Sequence, residues 1–166
     1  MFPSDVAGSL TRERVRDRRR AAANDRVSES GVAGALANVP LFSQCSKREL
    51  RLVAKLAKTR TVRESTSLTL EGEEGDTMFV ILSGHATVHK GGRKIAERGP
   101  GDVVGELAIL SKAPRNATVT TTTETQVATI SRRDVHRLIA DAPGFSRKLL
   151  ESLADRVRDL DRKIVC

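Results

Sequence analysis

The chain has 166 residues, a net charge of +8, four Phe and neither Tyr nor Trp. That length suits one compact domain with some tail, large enough to bury a core without disulfides or metal. The core must be aliphatic, stacking of bases on aromatic platforms is disfavoured, and the diffuse charge, interleaved with acids, permits acidic partners without identifying one.

Residues 1–33 stand apart from the rest. "LTRERVRDRRRAAANDR" is charged and poor in large apolar groups, so a basic, weakly ordered arm is expected, either a solvated helix or disordered. Glu13, Asp17 and Asp25 blunt its field and count against a nucleic-acid or membrane-surface role for it. The arm lacks the apolar stretch of a signal peptide. No run in the chain approaches the ~18 apolar residues that would span a bilayer, so no membrane insertion is expected. Cys45 and Cys166 lie far apart without a CxxC pair, which predicts reduced thiols in a cytoplasm rather than a zinc site or a disulfide. The terminal "KIVC" does not fit a prenylation box.

Residues 34–166 are predicted to form the domain proper. "LANVPLF" sets Leu36, Val39, Leu41 and Phe42 as apolar anchors around Pro40. In "SKRELRLVAKLAK", Ser46 is a predicted N-cap, and Glu49 completes a capping box. Leu50, Val53, Leu56 and Ala57 then share one helical face.

From about residue 59 to 130 the chain breaks into eight short segments rich in Thr, Val and Ile: "TRTV", "SLTL", "TMFVIL", "HATVHK", "RKIAER", "DVV", "NATVTTTT" and "QVATI". The turn signals "EGEEGD", "SG", "GG" and "GPGD" separate them. The expected fold is mainly β with flanking α: an eight-stranded β-barrel or jelly roll, N-terminal helices, and two C-terminal helices over about residues 131–164. Ser131 is the predicted N-cap of the first, and Pro143 with Gly144 is expected to break it. The last helix carries a stripe of Leu149, Leu153, Val157, Leu160 and Ile164. Its start should bury against the barrel, and its far end should either dock back or pair with a second copy, since the spacing resembles a coiled-coil seam.

"GELAILSKAPRNATV", Gly105 to Val119, is the stretch that carries chemistry. "ELAIL" is short but can form one or two helical turns, with Gly105 allowing a sharp entry. The amides of Leu107, Ala108 and Ile109 would then be first-turn donors facing an anion. Arg115 adds a full charge and a bidentate fork. Glu106 cannot share that anion and would face a donor such as a sugar hydroxyl. Spacing leaves a second reading open, in which Glu106 and Arg115 merely pair on the surface for ~0–1 kcal/mol.

This stretch resembles the phosphate-binding cassette of cyclic nucleotide-binding domains, whose pattern is roughly Gly-Glu-small-Ala-Leu, a short loop, then Pro-Arg-x-Ala-Thr/Ser. "LTLEGEEGDTMFVILSGHATV", "RGPGDVVGE" and "VPLFSQCSKRELRLVAKLA" resemble the family's neighbouring blocks in the same order. The resemblance implies a ligand-binding, non-catalytic regulatory module with cAMP, or cGMP, as its ligand. It implies the cyclic phosphate on Arg115, the ribose 2′-hydroxyl on Glu106, assistance from the amides of Leu107 and Ala108, and close approach over Gly105. Asn116 and Thr118 fall near where the family meets phosphate and base. Many cGMP-selective members carry Thr immediately after the arginine, whereas Asn116 stands here. The family's last helix covers the base, a role open here to Leu153, Val157 or Arg156.

No enzyme signature competes. His85 and His89 on one strand face lack the His-x-His and nearby acid of a cupin-like metal site. The expected function is a cytoplasmic cyclic nucleotide sensor that signals through its C-terminal helices to a protein partner or a homodimer mate. No metal or catalytic cofactor is expected. The alternatives are a nucleic-acid-associated regulator acting through the arm, without a helix-turn-helix, and a scaffold of the same fold that binds no nucleotide.

Overall fold

The computed structural model describes residues 29–165. The expectations for residues 1–28, for Cys166 and for the side chain of Ile164 lie outside the described residues. Helix α1 (Glu29–Ala37) spans the compositional boundary at 33/34 because Val32 and Leu36, four apart, both bury against the core. A 3-10 turn (Pro40–Phe42) follows, then α2 (Lys47–Leu56). The capping box forms: the Ser46 hydroxyl accepts the Glu49 amide at 3.2 Å, and the Glu49 carboxylate accepts the Ser46 amide at 2.7 Å.

All eight strands form: β1 (Lys58–Val62), β2 (Ser67–Thr69), β3 (Thr77–Ser83), β4 (Ala86–Lys90), β5 (Arg93–Arg98), β6 (Val103–Val104), β7 (Thr118–Thr121) and β8 (Thr125–Ser131). They make two four-stranded antiparallel sheets, ordered β1-β8-β3-β6 and β2-β7-β4-β5. This is the jelly-roll form of the expected architecture. No strand pairing among the described residues joins the two sheets into a closed barrel.

The period of two in β3 and β8 divides the core. Met78, Val80, Ala128 and Ile130 face the helices, where Leu36, Phe42, Leu138 and Phe145 meet them. Ile81 and Val127 face the other sheet, against Val88, Val104 and Val119. Strands buried on both faces lose polar alternation, which accounts for the nearly continuous apolar run in "TMFVIL".

Four short helices frame this core and the long one runs off it. α3 (Glu106–Ser111) follows β6, and α4 (Arg132–Asp141) follows β8 with the Ser131 hydroxyl accepting the Asp134 amide at 3.2 Å. α5 spans Pro143–Val165, so the expected break at Pro143 and Gly144 is corrected to a single residue, Ala142. Proline belongs at the first helical position, where no amide partner is lost. Gly144 lies against the chain before α2, where an added Cβ would stand 2.2 Å from the Gln44 carbonyl oxygen. Phe42 and Phe145 stack across this junction with ring centroids 5.9 Å apart. Leu149 is buried and Leu153 half-buried, whereas Val157 and Leu160 are exposed at 59% and 58%. The stripe thus docks at its start and leaves the protein surface, as its length requires. Leu150, outside the expected stripe, is exposed at 69% and extends it by heptad spacing.

Candidate functional site

The chain leaves β6 through Gly105, whose φ of +85° is open to glycine and strained for L residues. That turn starts α3 at Glu106 and brings the Gly105 carbonyl beside Arg115. Arg115 Nη1 donates to the Gly105 oxygen at 2.8 Å and Nη2 to the Thr77 oxygen at 2.7 Å. The backbone is fixed as well: the Arg115 amide donates to the Glu73 carbonyl and its own carbonyl accepts the Gly72 amide, each at 2.8 Å. The "EGEEGD" turn is therefore part of the cassette's scaffold.

Two glycines form the slot that holds the guanidinium. A Cβ on Gly75 would lie 1.9 Å from Arg115 Nε, and one on Gly105 would lie 2.4 Å from Nη1. Arg115 is 7% exposed, and two of the five guanidinium N–H donors are taken by these carbonyls. Burial pushes the Arg115 guanidinium below its ordinary pKa; Asp76 opposes the shift, Arg132 adds to it, and Glu106 opposes it. The cation is thus desolvated without direct carboxylate pairing, an arrangement that an incoming anion would relieve.

Glu106 is buried at 5% exposure and pairs with Arg156 of α5. The surface Glu106–Arg115 pair that spacing left open does not form: both groups are buried and each has other partners. The pair that does form joins the cassette to the last helix across fifty residues of sequence.

Gly105, Glu106, Leu107, Ala108, Arg115 and Asn116 line one cavity of about 120 Å³. Thr118 does not line it. β7 turns Val119 inward and Thr118 outward, where its hydroxyl accepts the Glu71 amide at 3.0 Å. Sequence reasoning did not assign the rest of the cavity's lining, which includes Thr69, Val88, Ile95, Arg98, Val103 and Val119. The period of two in β4 and β7 marks Val88 and Val119 as inward-facing, but only strand pairing brings those inward faces to the cassette. Arg156 appeared in the sequence only as a choice for covering a base. A second cavity, about 370 Å³, lies between the 3-10 turn, the turn before β6 and α5, and it shares Arg98, Val103, Glu106 and Arg156 with the first.

The family profile described as cyclic nucleotide-binding domain matches residues 59–142. A cAMP-dependent protein kinase regulatory subunit of Yarrowia lipolytica is 36% identical over 108 residues, covering 64% of this chain and 29% of the relative. A CRP-like cAMP-activated global transcriptional regulator of Mycobacterium tuberculosis is 38% identical over 93 residues, covering 53% of this chain and 42% of the relative. The solved structure of the Thermus thermophilus catabolite activator protein superimposes with a TM-score of 0.70 at 27% identity, covering 75% of this chain and 61% of that one. The chain therefore spans less than half the length of these two curated relatives.

Proposed function

The chain belongs to the cyclic nucleotide-binding domain family, and from that premise we propose that it is a cAMP sensor whose last helix reports occupancy to a partner. The observation that carries the reading is the double engagement of the cassette: Arg115 is held buried with donors to spare, and Glu106 is tied to α5 through Arg156. The cyclic phosphate would sit on Arg115 and the amides of Leu107 and Ala108, over Gly105, and Asn116 would lie beside the base. The ribose 2′-hydroxyl would take the place on Glu106 that Arg156 now holds.

A cavity of 120 Å³ is below the roughly 300 Å³ typical of small-molecule sites. Nucleotide entry then requires Arg156 to move, and the adjoining cavity of about 370 Å³ offers the space. Breaking the Glu106–Arg156 pair removes a tie between the cassette and α5, whose exposed Leu150, Val157 and Leu160 supply a face for a protein partner or a second copy. The ligand shifts α5 only by its difference in affinity for the two positions. The names of the two curated relatives favour cAMP over cGMP. A cytoplasmic, non-enzymatic role is part of the same proposal. Among the described residues no helix is long and apolar enough to cross a membrane.

Calorimetry with cAMP and cGMP on the wild type and on Arg115→Ala tests the proposal. Saturable binding of cAMP that the variant loses supports it. Absence of binding of either nucleotide to the wild type sinks it, and tighter binding of cGMP overturns the choice of base. Sedimentation with and without nucleotide separates a second copy from a different partner.

A further inference from the structure

We propose that the outward face of α2 and the start of β1 form a docking surface for the phosphate backbone of double-stranded nucleic acid. The expectation of a diffuse charge fails at this place. Residues 47–63 hold seven of the chain's 29 Lys and Arg and one of its 21 Asp and Glu, a net +6 out of +8. Residues 64–166 hold fifteen of each and are neutral, and residues 1–33 carry a net +2.

The fold exposes this charge along α2 and the strand that follows it. At 3.6 residues per turn, Lys47, Arg48, Arg51 and Lys55 fall within an arc of about 100° on α2. All four are exposed. Lys58 and Arg60 follow at once, exposed on one face of β1, an edge strand of its sheet. No ion pair among the described residues involves Lys47, Arg48, Arg51, Lys55, Lys58 or Arg60. The lone acid in the segment, Glu49, is occupied by the Ser46 and Gly144 amides.

The chemistry of the strip selects its partner. Its apolar side, Val53 and Ala54 with Leu50 and Leu56, is already packed in the core. None of the exposed large hydrophobic residues lies between 47 and 63. A lipid surface asks for apolar area to insert, and a protein partner asks for a buried apolar or aromatic anchor. Single strands ask for stacking rings, and the segment has no aromatic residue. Lys and Arg without any of these fit evenly charged phosphates, bound by counterion release and without base readout. The strip lies apart from the nucleotide cavity, whose lining includes none of its residues.

The test is fluorescence anisotropy of labelled mixed-sequence duplex DNA with the full chain across a salt series. The variant Lys47→Gln/Arg48→Gln/Arg51→Gln/Lys55→Gln keeps helix-favouring residues. It is expected to weaken binding at least ~10-fold at low salt and to flatten the log K against log salt slope by about 3–4, near 0.9 per lost phosphate contact. Arg51→Gln/Lys55→Gln, expected to give about half that slope change, serves if the fourfold variant does not fold. Arg18→Gln/Arg19→Gln/Arg20→Gln should change binding less than either. No duplex binding by the wild type at low salt overturns the proposal. So does a loss confined to the arm variant, or preferential retention on phosphatidylserine vesicles with the same residue dependence.

Discussion

Glu106 of the cassette pairs with Arg156 of the last helix, and Arg115, nine residues further along, pairs with neither. Both cassette side chains are buried, yet one is bound to backbone carbonyls and the other to a side chain that is 39% exposed. Under the proposed function, Glu106 exchanges Arg156 for a ribose hydroxyl. A hydrogen bond to a charged group contributes about 1.5–3 kcal/mol. 2′-Deoxy-cAMP is therefore expected to bind roughly 10- to 150-fold more weakly than cAMP by calorimetry. Arg156→Ala should keep nucleotide binding while abolishing the ligand-induced change in amide exchange over residues 145–160. An unchanged exchange response in that variant would remove Arg156 from the coupling.

Gly75→Ala separates folding from binding. Gly75 has no left-handed φ, and the atoms its Cβ would strike belong to the flexible end of Arg115. The side chain can swing away but then gives up the Gly105 and Thr77 carbonyls, so the stability cost is expected to be about 1–3 kcal/mol, without any backbone strain. Binding should fall on the order of 100-fold, because the fork leaves its bidentate position. Thermal unfolding and calorimetry on the same sample check both halves. Gly105→Ala differs, since its backbone at φ +85° adds strain of about 1–3 kcal/mol.

Strands, caps and the cassette are local, and their signals are too. The Ser46–Glu49 box and the Ser131 cap each need one short stretch, and each forms as written. The Gly105 turn likewise needs only the chain on either side. What sequence did not disclose depends on packing between distant segments. The slot for Arg115 requires Gly75, forty residues earlier, and carbonyls of Thr77 and Gly105. The partner of Glu106 lies on a helix whose rotation is set by Phe145 and Leu149 in the core. Pro143 obeys two rules, ending one helix and opening the next, and the packing of Gly144 against Gln44 favours the second.

Cys45 should be inert in the folded protein. Burial, and secondarily Glu49, push its thiol up to about 11 from an ordinary 9.0. At pH 7 the thiolate fraction is then roughly one in ten thousand. Reaction with a thiol reagent is expected to track unfolding at neutral pH. The raised pKa also adds stability that is full below pH 9.0 and is lost as pH rises toward about 11. Labelling of Cys166→Ser across denaturant and pH checks this.

Glu49 fastens α2 to the junction that releases α5. Its carboxylate accepts the Ser46 amide at 2.7 Å and the Gly144 amide at 3.2 Å. The Ser46 amide holds its pKa below the ordinary 4.5, burial opposes, and the Gly144 amide and the Ser46 hydroxyl lower it further, with a small contribution from Arg147. A lowered pKa means a contribution present above 4.5 and lost as pH falls through the folded value. Wild-type stability should therefore decline below pH 4.5 more steeply than that of Glu49→Gln. At pH 7 the Gln variant keeps one acceptor oxygen but loses the charge and the second acceptor, and should be less stable by about 0.5–1.5 kcal/mol, the worth of one hydrogen bond. Because the second bond reaches the first turn of α5, the variant should also raise amide exchange at Gly144 and Phe145 before it affects the strands. Equal acid sensitivity of the two proteins in denaturant titrations would show that the Glu49 charge stabilises neither contact, whereas unchanged exchange at Gly144 would show that Glu49 caps α2 without tying the junction.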